Sequence, residues 1–158
     1  MSAEPEIPLR HTVATLAYRA AKVLRDAPPG FGQTRSSPKA RSAAEIVSHM
    51  ADLLEWACRA TDGERNWKTL PAKSWDEEVA RFFSAIKALD DRFASGLPLK
   101  NTATWLFQGP IADALTHVGQ LASLRRRAGS LVLGEAYFQA DIVIGRVAPQ
   151  QTPAQEEF

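Results

Sequence analysis

The chain has 158 residues, 45% hydrophobic and 23% charged, which is the size and balance of one globular domain able to bury a core without disulfides. A net charge of +1 excludes the basic footprint of a nucleic-acid binder and a polybasic membrane patch. A single cysteine, Cys58, excludes an internal disulfide and fits a reducing cytoplasmic setting, and no apolar run approaches transmembrane length.

Residues 1–7 are read as an N-terminal extension, with acids and prolines where a signal peptide needs basic and then apolar residues. Leu9, Val13, Leu16, Ala20 and Leu24 recur at helical spacing and predict a helix from Leu9 to Asp26, stopped by DAPPG. His11, Tyr18 and Lys22 fall on its polar side, so His11 reads as a surface residue. A polar, basic loop runs from Pro28 to Arg41.

Ser42 opens S-A-A-E, a capping box in which Glu45 reaches back to the Ser42 amide. The second helix carries Ile46, Met50, Leu53, Ala57 and Ala60 and ends near Asp62-Gly63. His49 lies at the edge of that stripe; Asp52 follows three residues later and Trp56 about two turns on. Cys58 is near the core side with no adjacent base, which reads as packing rather than as a nucleophile. The link to the third helix, about 11 residues, is long enough for helices two and three to run parallel through a crossover. A second capping box, S-W-D-E, starts helix three at Ser74. Trp75, Val79, Phe82, Ile86, Leu89 and Phe93 form its stripe, and Gly96 and Pro98 close it.

The fourth helix is expected from Pro110 to Gly129, with an earlier turn over Thr104–Gln108. EAYFQADIVIG reads as a short terminal helix, and residues 148–158 as a disordered tail. No stretch alternates as a strand. The expected architecture is an all-α four-helix bundle over residues 8–147 with a short C-terminal segment.

On a helical wheel with His117 at zero, Leu106, Pro110, Asp113, Leu121, Leu124 and Ala128 fall within about 40°. Asp113 and His117 are therefore expected to face inward, with Cβ atoms about 5–6 Å apart. A buried carboxylate without a partner is costly. Two readings stay open. Either Asp113 and His117 hydrogen-bond to each other in a small polar gap, or they are two ligands of a divalent metal whose third ligand is His49. His/carboxylate/His with an open position is the donor pattern of a catalytic ion. Asp52 is a candidate for orienting a ligand and Trp56 for lining the site. Arg125 lies nearest the inner stripe among Arg125, Arg126 and Arg127 and is a candidate contact for an anionic group, although basic residues in a last turn commonly serve the helix dipole.

Three segments carry a resemblance. S-A-A-E-I-V-S-H-M-A-D-L (Ser42 to Leu53) resembles the second helix of the DinB/YfiT-like superfamily. D-A-L-T-H-V-G-Q-L-A-S-L-R-R-R-A-G (Asp113 to Gly129) resembles its fourth, and Y-F-Q-A-D-I-V-I-G-R-V (Tyr137 to Val147) its C-terminal segment. Together with helix order the likeness covers about residues 8–150. It implies an up-down-down-up four-helix bundle, often a homodimer, with a divalent metal (zinc, nickel, iron or manganese) in a pocket at one end. His49 and His117 match ligand positions of that family. Position 113 is Asp where the family commonly has His; some thiol-dependent members, similar to maleylpyruvate isomerase of the mycothiol type, carry an acid at that place. The resemblance thus implies a metal-dependent enzyme acting on a small molecule. It would be a thiol transferase, a thiol-dependent isomerase or a hydrolase, with a low-molecular-weight thiol as cofactor. Trp75 or Phe83 would serve a dimer surface. The alternative is a non-catalytic bundle that binds a small ligand or partner and carries a degenerate metal site.

Overall fold

The computed structural model describes residues 8–158, so the expected extension at 1–7 lies outside the described residues. Among the described residues there are four long helices and no strand, as the stripes predict. They are α1 (Leu9–Leu24), α2 (Ala43–Thr61), α3 (Trp75–Ala94) and a composite fourth helix. The fourth begins as α4 (Ala103–Leu106), widens into a π-helical turn (Phe107–Ile111) and continues as α5 (Ala112–Arg127). No helix among them is long and apolar enough to cross a membrane.

Both capping boxes form. The Ser42 hydroxyl accepts from the Glu45 amide at 3.2 Å while the Ser42 amide donates to the Glu45 carboxylate at 2.6 Å. Ser74 and Glu77 repeat the pattern at the start of α3. At its C-terminus α1 stops two residues before the expected Asp26, because Asp26 itself adopts φ 54° and the prolines that follow cannot rejoin a helix. Gly129 closes α5 at φ 74°, with the Ser130 amide donating to the Arg125 carbonyl at 3.0 Å.

The π turn is the departure from the expected fourth helix. Pro110 has no N–H to give to a preceding carbonyl, and its ring would strike the turn before it. Widening that turn by one residue accommodates the ring and keeps both Leu106 and Pro110 buried.

The predicted stripes meet in one core, where Leu16, Met50, Leu54, Phe82, Ile86 and Leu121 are fully buried. Each such side chain contributes about 1.5–3 kcal/mol of transfer free energy. Ala128, placed on the inner stripe, is instead exposed beyond the end of α5. Phe83, a candidate for a dimer surface, is buried against Phe82 with ring centroids 5.1 Å apart.

Polar pairs fix how the helices sit together. Arg10 in the first turn of α1 makes a two-pronged pair with Asp90 near the end of α3, at 3.0 and 2.9 Å. Arg81 of α3 reaches Asp52 and Glu55 of α2, the latter at 2.9 and 2.8 Å. Arg92, late in α3, meets Asp62 just past α2 at 2.9 Å. The Asn101 amide, before α4, donates to the Ala60 carbonyl at 2.6 Å.

The C-terminal region differs from expectation in two ways. Of EAYFQADIVIG only Tyr137–Gln139 is helical, a single 3-10 turn. In place of a disordered tail over 148–158, the chain returns, and Phe158 exchanges two backbone hydrogen bonds with Gly134, each 3.0 Å. A Cβ at Gly134 would lie 2.6 Å from the exposed Phe158 ring, which would have to swing aside to admit it. The returning strap covers the face of α1 that a wheel assigns to solvent. Tyr18 and Lys22 are buried there, both bonded to the buried Glu135, with Lys22 Nζ 2.8 Å from it. His11 stays exposed.

Candidate metal centre

The capping box at Ser42 sets the phase of α2 and thereby the direction of His49, seven residues on. The π turn sets the phase of α5, and Asp113 follows it by two residues. Single π turns recur beside functional residues because they re-aim side chains at one point of a helix. The result brings His49, Asp113 and His117 together. One ligand atom from each lies within 4.8 Å of the others.

The three groups are arranged around the carboxylate. His49 Nε2 lies 3.4 Å from Asp113 Oδ2, and His117 Nε2 lies 3.4 Å from Asp113 Oδ1. The two imidazoles meet edge to face, with centroids 4.9 Å apart. Both nitrogen–oxygen separations are long for strong hydrogen bonds, and donor atoms about 2.0–2.2 Å from one tetrahedral ion stand about 3.3–3.6 Å apart, so small side-chain adjustments would draw this set around an ion.

Gln120 fixes the second histidine. Its Oε1 is 2.8 Å from His117 Nδ1, which leaves Nε2 as the ring nitrogen facing Asp113. Two imidazoles and a carboxylate are a donor set that suits a divalent ion of the zinc, nickel, iron or manganese kind. Burial pushes the His49 pKa below the usual histidine value, and Arg41 and His117 push it further, against the opposing pull of Asp113. His49 is thus held neutral near pH 7, the form that ligates.

The inward placement of Asp113 needs correction. Its side chain is 46% exposed, against 8% for His117, because the cluster sits at the mouth of a cleft rather than in the core. On one side of that mouth Trp56, Trp67, Trp105, Leu53 and Pro110 wall an apolar cleft of about 650 Å³ that includes Asp113. On the other side His49 opens to a second cleft of about 630 Å³ with Arg35, Lys39 and Arg41 at its rim. Trp67 stands between the two, its ring 5.7 Å from that of His49.

Trp56 therefore lines the site as expected. Asp52 does not turn toward the ligands. It is buried in an ion-pair network with Arg81, which also holds Glu55 and Glu78, at 2.8 and 3.3 Å. Arg125 is not available to an anion. It is buried, and its guanidinium donates to the carbonyls of Val23, Arg25 and Asp26 at 2.9, 2.7 and 3.2 Å, tying the end of α5 to the end of α1. Cys58 is a free thiol whose pKa is raised by burial, which leaves it unreactive. Trp67, which the sequence reads with Trp56, Trp75 and Trp105 as packing or a pocket wall, walls both clefts. Gln120 is the residue the sequence reading misses, although three residues after His117 on a helix is within side-chain reach.

Compared with protein-family models, curated proteins and solved structures, the chain matches none.

Proposed function

We propose that this chain is a metal-dependent enzyme acting on a small electrophile, as a thiol transferase or a thiol-dependent isomerase or hydrolase, with the ion held by His49, Asp113 and His117. The observation that carries this reading is the convergence of those three ligand atoms within 4.8 Å at the mouth of two clefts. A divalent ion with an open position supplies Lewis acidity and lowers the pKa of a thiol or water beside it. The chain's own residues do the rest. Gln120 holds the His117 ring so that Nε2 faces Asp113. Trp67 packs on His49 and limits the rotation of its ring. Trp56, Trp67 and Trp105 offer aromatic faces to the apolar part of a substrate and displace water from that side.

The likeness of Ser42 to Leu53 and of Asp113 to Gly129 to DinB/YfiT-like helices supports the same reading. So does an up-down-down-up order, for which the polar pairs speak. Arg92 with Asp62 joins the late ends of α3 and α2, and Arg125 with Val23 joins the late ends of α5 and α1. Arg10 with Asp90 joins opposite ends of α1 and α3.

The test is turnover. Wild-type chain loaded with zinc, nickel, manganese or iron(II) should accelerate conjugation of a low-molecular-weight thiol to a chromogenic aryl halide. His49→Ala should lose that acceleration. A panel of thiols and electrophiles showing none with any of the four metals contradicts catalysis of this class.

A second reading, a bundle that binds a small ligand without catalysis, draws on the exposure of Asp113. A carboxylate 46% exposed needs no ion to offset its charge.

A further inference from the structure

Where the 28–41 loop meets α2 and the last turns of α5, a small cleft of about 320 Å³ opens, with Ser36, Arg41, Gln120, Ser123 and Arg127 on its polar side and Ala40, Ile46 and Leu124 on its apolar side. It shares a wall with each ligand helix. Gln120 holds His117 through its carbonyl oxygen, and Arg41 also lines the larger cleft into which His49 opens.

The arginines of this chain are mostly committed. Arg10, Arg35, Arg81 and Arg92 each hold a carboxylate, and Arg125 holds three carbonyls. Among the described residues the guanidiniums of Arg19, Arg25, Arg41, Arg126 and Arg127 have neither an ion pair nor a hydrogen-bond partner, and of these Arg41 and Arg127, both exposed, line this one concavity. The one carboxylate nearby in sequence, Glu45, is already held by Arg35 at 2.7 Å and by the Ser42 amide. Two guanidiniums lining one cleft make it favourable to an anion, and their planar forks match the oxygens of a carboxylate or a phosphate. Ser36 and Ser123 bring neutral hydroxyl donors to the same space, and the Gln120 amide nitrogen, opposite the oxygen that holds His117, is a further donor.

We propose that this cleft binds the oxyanion group, carboxylate or phosphate, of a small ligand, with Arg41 and Arg127 as its two cationic contacts. That group would be the anchor by which the ligand's remainder reaches the histidines. Its assignment to the substrate of the metal centre rests on the function proposed above, while the anion site itself does not.

The experiment is calorimetry on the metal-free full chain, titrated with inorganic phosphate and separately with succinate at constant ionic strength. Saturable binding of at least one anion is expected, weakened about tenfold or more in Arg41→Gln and in Arg127→Gln. Arg126→Gln, one residue away and outside the cleft, should bind as wild type does. Binding of phosphate alone assigns the site to a phosphate group, and binding of succinate alone to a carboxylate. His49→Ala, which removes a metal ligand, should retain the anion, so a failed metal centre leaves this result standing. Absence of binding for both anions in wild type overturns the proposal, as does an equal loss in Arg126→Gln. Circular dichroism of each variant confirms that it is folded.

Discussion

His117 and Arg125 are two turns apart on α5 and do opposite work. His117 is directed by Gln120 toward Asp113, while Arg125 is buried among carbonyls at the end of α1. Gln120→Leu should leave the fold intact and release the His117 ring, lowering metal affinity about 10–100-fold, as loss of an orienting partner does. Competition against a chromogenic chelator measures this. Arg125→Met should keep metal affinity and lose about 2–4 kcal/mol of stability in urea unfolding, since it leaves three carbonyls short of charged donors. At this scale the sequence was legible for the ligands and not for their surroundings. Helical spacing pairs Asp113 with His117 and sets His49 on the facing side of α2. The sequence offers Asp52 for orienting a ligand and Arg125 for contacting an anion because a wheel shows direction but not occupancy. Arg81 and three carbonyls from other elements occupy them.

Helix boundaries follow local chemistry, and local chemistry is what a sequence displays most openly. The two capping boxes, the left-handed Gly129 and the stripes of α1 and α2 all stand where spacing puts them. The π turn was hidden because Gly109-Pro110 reads equally as a helix start or an interruption, and only the burial of both Leu106 and Pro110 selects the second. The capping box at Ser42 carries a pH signature. Arg35 first, and then the Ser42 amide, hold the Glu45 carboxyl below the usual glutamate range. A carboxyl with a lowered native pKa stabilises the fold above its unfolded pKa of about 4.3, and that contribution is lost as pH falls through the lower native value. Glu45→Gln should therefore cost about 0.5–1 kcal/mol at pH 7, with the small end favoured by solvent screening. The gap to wild type should close below about pH 4. Urea midpoints across pH read both numbers.

At the scale of the whole molecule, the C-terminal strap turns a polar helix face into an interior. Glu135 lies more than a hundred residues along the chain from Tyr18 and Lys22, a distance no local pattern can join. Glu135→Ala would leave the Lys22 ammonium buried with only Glu157 at 3.4 Å, and should cost about 2–4 kcal/mol. Adding Lys22→Met should restore part of that loss, because the unpaired charge is then gone. Thermal unfolding of the single and double variants measures the coupling.

The bundle, its caps and its two clefts converge on one place where a divalent ion is expected. The direct measurement is metal binding by wild-type chain, purified without an affinity tag and titrated calorimetrically with zinc, nickel, manganese and iron(II). One ion per chain is predicted for at least one metal, with stabilisation of about 2.7 kcal/mol at a hundredfold excess over Kd. That binding should be lost in His49→Ala and His117→Ala and kept in His11→Ala, whose parent side chain is exposed on α1. No heat and no thermal shift with any of the four metals would contradict the account and leave His49, Asp113 and His117 as a hydrogen-bonded cluster at the mouth of a helical bundle.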